Sequence, residues 1–383
     1  MTWIIGPTIT INGTAYLSNA VGAVSIDYGR TTVWDPQRAS YATIKLINTN
    51  NTSFGIDINN SVVVKVRNAT NTADITVFTG VVTTVANEVG VNTGATIISY
   101  VSITAVGPIT VLGRTQSGLV DYPSENESAR ISRILAETSV SLDTIDTGTY
   151  TLLDRLANPT DALSLLNAYA NTATGSIYET TSGKVGYASE LRRNQDVAAN
   201  GYFSINPTFI NGLNLKSQTN QGDVVNNVKV GYNNGSYVTV ISTASVATYG
   251  TIGATLDTSI NNELDATTLA GIYIGMRAYP RVSLSAIEVR IDDADMDATT
   301  LNKMLNMYFG MPVSLAGLPL TITPTTYQGF VEGWNLSFSQ LSAKITLRTT
   351  EKTYSYRSTQ WEDVDPALIW SSVNAALTWN TYD

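Results

Sequence analysis

The chain has 383 residues, 22 basic and 31 acidic side chains, a formal charge of −9 and only 14% charged residues. It contains no cysteine and no histidine, which excludes disulfides and thiolate metal sites and removes the commonest general base and triad base. No basic cluster follows a phosphate backbone, and no apolar run approaches the roughly 18–20 residues that span a bilayer. The start, Met1 to Pro7, lacks the charged and apolar regions of a signal peptide, so a soluble, cytosolically made protein is expected.

The length predicts about two to four modules, and the 43% hydrophobic residues suffice for real cores. Residues 1–110 read as strands. Ser40 to Asn48 alternates, with Tyr41, Thr43, Lys45 and Ile47 on one face and Ala42, Ile44 and Leu46 on the other. Runs at 61–67, 75–85 and 95–106 continue the pattern, separated by Asn-, Thr- and Gly-rich turns, as in an antiparallel barrel or sandwich. The pattern changes at Gly107-Pro108. Ser124 to Glu127 has capping-box spacing ahead of a helix at 128–137. A second helix follows Thr160 as N-cap, with Leu163, Leu166 and Ala170 on one stripe. A hairpin spans 175–187, and residues 111–204 together read as an α+β insertion.

Strand patterns return at 205–352. Val224 to Tyr232 and Ser236 to Ser242 flank an Asn-Asn-Gly turn, a hairpin signal. Helices are expected at 264–273 and after Asp297, and strands at 283–291, 333–338 and 343–348. Residues 353–383 form a different segment. Trp361, Trp370 and Trp379 recur every nine residues, three of the six tryptophans in the chain. This charge-poor segment reads as an extended arm that docks on another surface, since Trp is enriched at interface hot spots.

Three groups of residues are candidate sites. Asp292 to Asp297 alternates carboxylates, but a calcium loop counted from Asp293 would need Gly and Glu where Ala298 and Met304 stand. Helix capping is the simpler role. Asp121, Glu125 and Glu127 are close enough in sequence to suggest a glycosidase pair, yet the capping box accounts for Glu127 by itself. Gly29-Arg30 reads as a turn after a strand. No phosphate loop, nucleophile elbow or metal constellation is present, so no catalytic residue, metal or cofactor is expected and the chain reads as a non-enzyme.

The order of segments adds a resemblance. Ser25-Ile-Asp-Tyr-Gly-Arg30, Ala42 to Asn48, Val62 to Val66 and Val77-Phe-Thr-Gly-Val81 resemble the first barrel of tail-hub proteins from tailed bacteriophages. Ala162 to Ala170 followed by Gly175 to Tyr178, then Asp223 to Val230, Ala247 to Gly250, Val331-Glu-Gly-Trp334 and the tryptophan arm are similar to minor tail proteins of that type. The resemblance implies a mainly β chain with two tube-like β-barrel domains, at 1–110 and 205–352, around the α+β insertion at 111–204. It implies a homotrimeric ring at the virion tail tip or baseplate that adapts a six-fold tail tube to a three-fold tip. The implied partners are a distal tail or tail tube protein, a tape measure protein and downstream tip or fibre proteins, with DNA only in transit through the lumen. The alternative is a carbohydrate-binding receptor-recognition protein, an adhesin, in which the arm tryptophans stack on sugar. A histidine-free glycosidase ranks third.

Overall fold

The computed structural model describes residues 3–354, apart from residues 5, 18–19, 51, 93–96, 211–214, 285, 323–324 and 341. Trp361, Trp370 and Trp379 lie outside the described residues. The first stretch supplies strands β1 (Thr8–Ile11), β2 (Thr14–Tyr16), β3 (Val21–Gly29), β4 (Tyr41–Asn48), β5 (Ser61–Arg67), β6 (Asp74–Asn92) and β7 (Ile97–Val106). The alternation does what it predicts: Ala42, Ile44 and Leu46 of β4 and Val62, Val64 and Val66 of β5 are buried, and their neighbours in sequence face outward. β1 and β2 form a hairpin whose turn residues Asn12 and Gly13 have φ of 46° and 82°. Two successive positive values match the twist of the flanking strands, and Asn-Gly tolerates them.

The insertion contains α1 (Ile109–Leu112), α2 (Glu127–Ala136), β8 (Leu142–Ile145), α3 (Ala162–Thr172), β9 (Ser176–Glu179), β10 (Val185–Ala188) and α4 (Arg192–Asn200). β8, β10 and β9 make a three-stranded sheet, and α2 and α3 pack through Ile131, Ile134, Leu135, Leu166 and Tyr169. The caps differ from expectation. Ser124 donates its hydroxyl to the Leu152 carbonyl at 2.8 Å, and Asn126 caps α2 by accepting from the Ser128 amide. Asp161, not Thr160, caps α3 through the Ser164 amide. In each case a side chain nearer the first turn reaches the open N–H groups with better geometry. The buried stripe of α3 is also broader than predicted: Leu165 and Tyr169 join Leu166 and Ala170, and Leu163 packs at its margin.

β11 (Phe203–Ile205) follows, and then a unit with its own core. It comprises β12 (Asn227–Tyr232), β13 (Ser236–Ile241), α5 (Thr243–Tyr249), β14 (Gly253–Leu256) and α6 (Glu263–Arg277). The expected hairpin is present, with Asn233 and Asn234 both at positive φ. β14 then returns parallel to β12 by way of α5, and α6 covers the sheet with Ala266, Leu269, Ala270 and Tyr273. The chain ends its described part with β15 (Ile287–Arg290), α7 (Ala298–Leu305), β16 (Pro312–Leu315), β17 (Tyr327–Ser339) and β18 (Ala343–Glu351).

One twelve-stranded sheet unites the early and late strands, in the order β11-β16-β17-β3-β4-β7-β6-β5-β1-β2, with β18 beside β17 and β15 beside β18. The seam is β3 against β17, antiparallel from Gly29↔Gly333 to Ala23↔Ser339. Hydrogen-bond order leaves the sheet open among the described residues, with β2 and β11 at its ends, rather than closed into a barrel. One hydrophobic core runs through both halves, from Ile9 and Val24 to Trp334 and Leu347.

Candidate functional site

The densest buried chemistry sits at the end of the β3–β17 seam. β3 ends at Gly29, whose φ is +77°. A Cβ there would stand 2.2 Å from the Glu332 carbonyl, so only glycine lets the strands approach. The Arg30 amide donates to that carbonyl at 3.0 Å. β17 carries an irregularity between Val331 and Gly333, which leaves Glu332 as the extra residue and turns its carboxylate out of the ladder. Arg30 Nε donates to Glu332 Oε2 at 2.8 Å, and Arg193 Nη2 of α4 reaches Oε1 at 2.9 Å. All three are buried, at 5%, 0% and 8% exposure, which makes this a charge cluster rather than a surface pair. Burial by itself would raise the Glu332 carboxyl, but Arg193 and Arg30 outweigh it and hold the group below the usual range. Burial conversely draws the Arg193 guanidinium down, against the pull of Glu332. Phe309 lies against both guanidiniums, 5.3 Å from Arg30 and 5.7 Å from Arg193.

The cluster therefore ties three parts of the chain: the early strands, the insertion and the late strands. Two further links reinforce it. Arg348 of β18 pairs with both oxygens of Asp27 on β3, at 2.9 and 3.0 Å, beside the stacked rings of Tyr28 and Trp334. Glu179 at the end of β9 accepts from the Ser40 amide at 2.7 Å and the Ile109 amide at 2.5 Å. Its burial pushes the carboxyl up to about 7.

Next to the cluster lies a cavity of about 560 Å³ where the main sheet, the insertion and the β12–α6 unit meet. Its wall includes Arg30, Arg192, Arg193 and Arg277 together with Trp34 and Tyr273. Arg192 pairs with Asp146, and Arg277 donates to the Asp223 carbonyl and the Tyr273 hydroxyl.

The residues singled out in the sequence have other duties. Glu125 is held by Arg130 and Arg133, at 2.7 and 2.9 Å. Glu127 accepts from the Thr149 and Tyr150 amides, and Asp121 from the Ala157 amide. Each carboxylate is taken up by its own structural contacts. Asp297 caps α7 through the Thr300 amide and hydroxyl, and those hydrogen bonds lower its pKa. Among the described residues no group of three or more Asp and Glu side chains is placed to hold a metal ion. Nor is any helix there long and apolar enough to cross a membrane. Gly29-Arg30, expected to be a turn only, also carries the buried ion cluster. Its partners were not identified from sequence, although a glutamate inside the apolar run Phe330-Val-Glu-Gly-Trp334 is the signal that marks one of them.

No protein-family model matches the chain, and no curated protein matches its sequence. Solved structures do share its fold. The 43 kDa tail protein of prophage MuSo2 from Shewanella oneidensis aligns with a TM-score of 0.65 at 8% identity, over 91% of this chain and 99% of that one. A tail protein from Neisseria meningitidis MC58 gives 0.62 at 11% identity, over 91% and 98%. A type VI secretion component of E. coli, described as similar to the phage T4 tail proteins gp27 and gp5, gives 0.51 at 9% identity, over 91% and 78%. The chain thus has the fold of phage tail-type proteins, mainly β with few helices.

Proposed function

We propose that this chain is a structural hub subunit of a phage tail tip or baseplate. In this reading three copies close a ring that adapts a six-fold tail tube to a three-fold tip. The observation that carries it is the β3–β17 seam. It places two strand-rich halves of one chain side by side in one sheet and locks them with Arg30, Glu332 and Arg193. The halves are residues 1–110 and 205–352, the second carrying the β12–α6 unit as an insert, and residues 111–204 stand between them. Three chains then present six strand-rich faces, and closed rotational symmetry stops growth at one ring. The likeness to tail proteins and to a protein described as similar to gp27 and gp5 supports the same assignment. The partners would be further copies of itself, a tail tube or distal tail protein, a tape measure protein and downstream tip or fibre proteins. Residues 353–383, with Trp361, Trp370 and Trp379, serve as an assembly arm. The protein acts by binding and shape, with no catalytic step.

The test is stoichiometry on the tube. Mixed with tail tube rings, the chain should bind as three copies per six tube subunits, read by mass photometry. Binding of one copy or of six copies per ring would overturn the hub assignment.

A further inference from the structure

The three-stranded sheet of the β12–α6 unit ends on β13, and that edge is bare. Among the described residues β13, with six residues, is the longest of the strands that end a sheet. Its inner side pairs with β12 from Asn227↔Ile241 to Tyr232↔Ser236 without a break in register. Its outer side receives no hydrogen bond from any described residue. The usual protections of an edge strand are missing, for Ser-Tyr-Val-Thr-Val-Ile has no proline, no charge and no bulge. Nor do the side chains cover the edge. Val238 and Val240 turn to the core under α6, whereas Tyr237, Thr239 and Ile241 are exposed on the other face. The Tyr237 ring lies back over the sheet, against Gly231 and with its centre 3.9 Å from Lys229 Nζ.

Charge and symmetry say what fits this edge. The chain carries −9 overall, so copies of it repel one another. Yet no charged residue stands between Lys229 and Asp257, a stretch that includes β13, α5 and β14. Contact between copies meets little repulsion there. The strand is also complementary to itself. An antiparallel pair about a two-fold axis normal to the sheet keeps each face on its own side. Centred on Thr239, such a pair sets Thr239 against Thr239, Tyr237 against Ile241 and Val238 against Val240. Thr–Thr and aromatic–β-branched pairs are favourable neighbours across strands. The exposed residues meet exposed residues, and the valines stay on the side covered by the helices.

We propose that β13 is a docking edge for a second copy of this chain, which adds its own β13 antiparallel and makes one continuous sheet from the two small ones. The contact is isologous, so it closes at two copies and cannot build a three-fold ring. It is an interface separate from any ring contact and does not rest on the hub assignment. In the free chain it covers an edge that otherwise offers its backbone to any extended segment.

The absence of cysteine lets cross-linking read the register. In the full chain, Thr239→Cys places two thiols across the axis with Cα atoms about 4.5–5.5 Å apart, within disulfide reach. Ser236→Cys lies on the same exposed edge and is the control, because its two copies stand about 20 Å apart in this pairing. Under mild oxidation Thr239→Cys should form a disulfide-linked dimer at least about tenfold faster than Ser236→Cys, by mass spectrometry of the non-reduced chain. Sedimentation equilibrium of the unsubstituted chain should show a reversible monomer–dimer equilibrium below about 100 µM. Thr239→Lys sets like charges directly opposite each other and should raise the dissociation constant at least about tenfold with an unchanged circular dichroism spectrum. Equal cross-linking at the two positions, a dimer indifferent to Thr239→Lys, or a mass that stays monomeric up to about 100 µM would overturn the proposal. So would a trimer in place of the dimer. All of these are read on the isolated chain, so they leave the ring stoichiometry to its own experiment.

Discussion

Replacing Glu332 with glutamine isolates what the buried cluster contributes. The side chain keeps its size, but Arg30 and Arg193 lose the one carboxylate they share at 2.8 and 2.9 Å. Two buried guanidiniums then face each other across a neutral amide. Removing one partner of a buried pair costs about 3–5 kcal/mol, because the remaining charge keeps its desolvation penalty. A domain is stable by roughly 5–15 kcal/mol, so the variant should lose about a fifth or more of its stability. Urea unfolding at neutral pH reads this as a lowered midpoint with an unchanged slope. A second variant, Arg30→Met with Glu332→Leu and Arg193→Met, removes all three charges together. It should recover most of the loss, since hydrophobic replacement of a buried ionic group is often neutral or better. A change below about 1 kcal/mol for Glu332→Gln, or a triple variant no more stable than the single one, would refute the reasoning.

Four further outcomes are expected. Glu179 ionises at about 4.5 in the unfolded chain and at about 7 when folded, so the folded state binds the extra proton between those values. Its contribution is full below pH 4.5 and is lost as pH rises through 7. The total is about 3 kcal/mol, and Glu179→Gln should flatten that part of the pH–stability curve relative to the wild type. Gly29→Ala should cost more than about 2 kcal/mol by denaturant unfolding, since its backbone is left-handed and its Cβ meets the Glu332 carbonyl. Deleting residues 355–383 should leave the circular dichroism and unfolding cooperativity intact yet stop tail-tip assembly in a complementation assay. Peptidoglycan and polysaccharide panels should show no turnover; turnover abolished by Glu125→Gln or Glu127→Gln would contradict a purely structural role.

The strands were legible where burial follows period two. Ser61–Arg67 was placed to the residue, because Val62, Val64 and Val66 point inward and Ser61 and Arg67 end the run. α4 was missed because Val197 is its one buried apolar residue and its other anchor, Arg193, is charged. No hydrophobic periodicity marks a helix held by an ion pair. The β12–α6 unit was legible as a hairpin and a helix, but not as a separate core. The parallel return of β14 depends on α5, whose only buried residue is Ser245. The buried cluster was hidden for another reason. Glu332 lies 302 residues from Arg30 and 139 from Arg193. Only the seam brings them together, and a bulge aims the carboxylate. Such non-local pairing leaves no local pattern in a single sequence.

The most direct measurement of the central claim is a cryo-electron microscopy reconstruction of an assembled tail tip containing this chain. Three copies are expected around the tail axis, each offering both residues 1–110 and 205–352 to the last tube ring, with 111–204 outside. A peripheral position, a copy number other than three, or contact with the tube through one half only would contradict it.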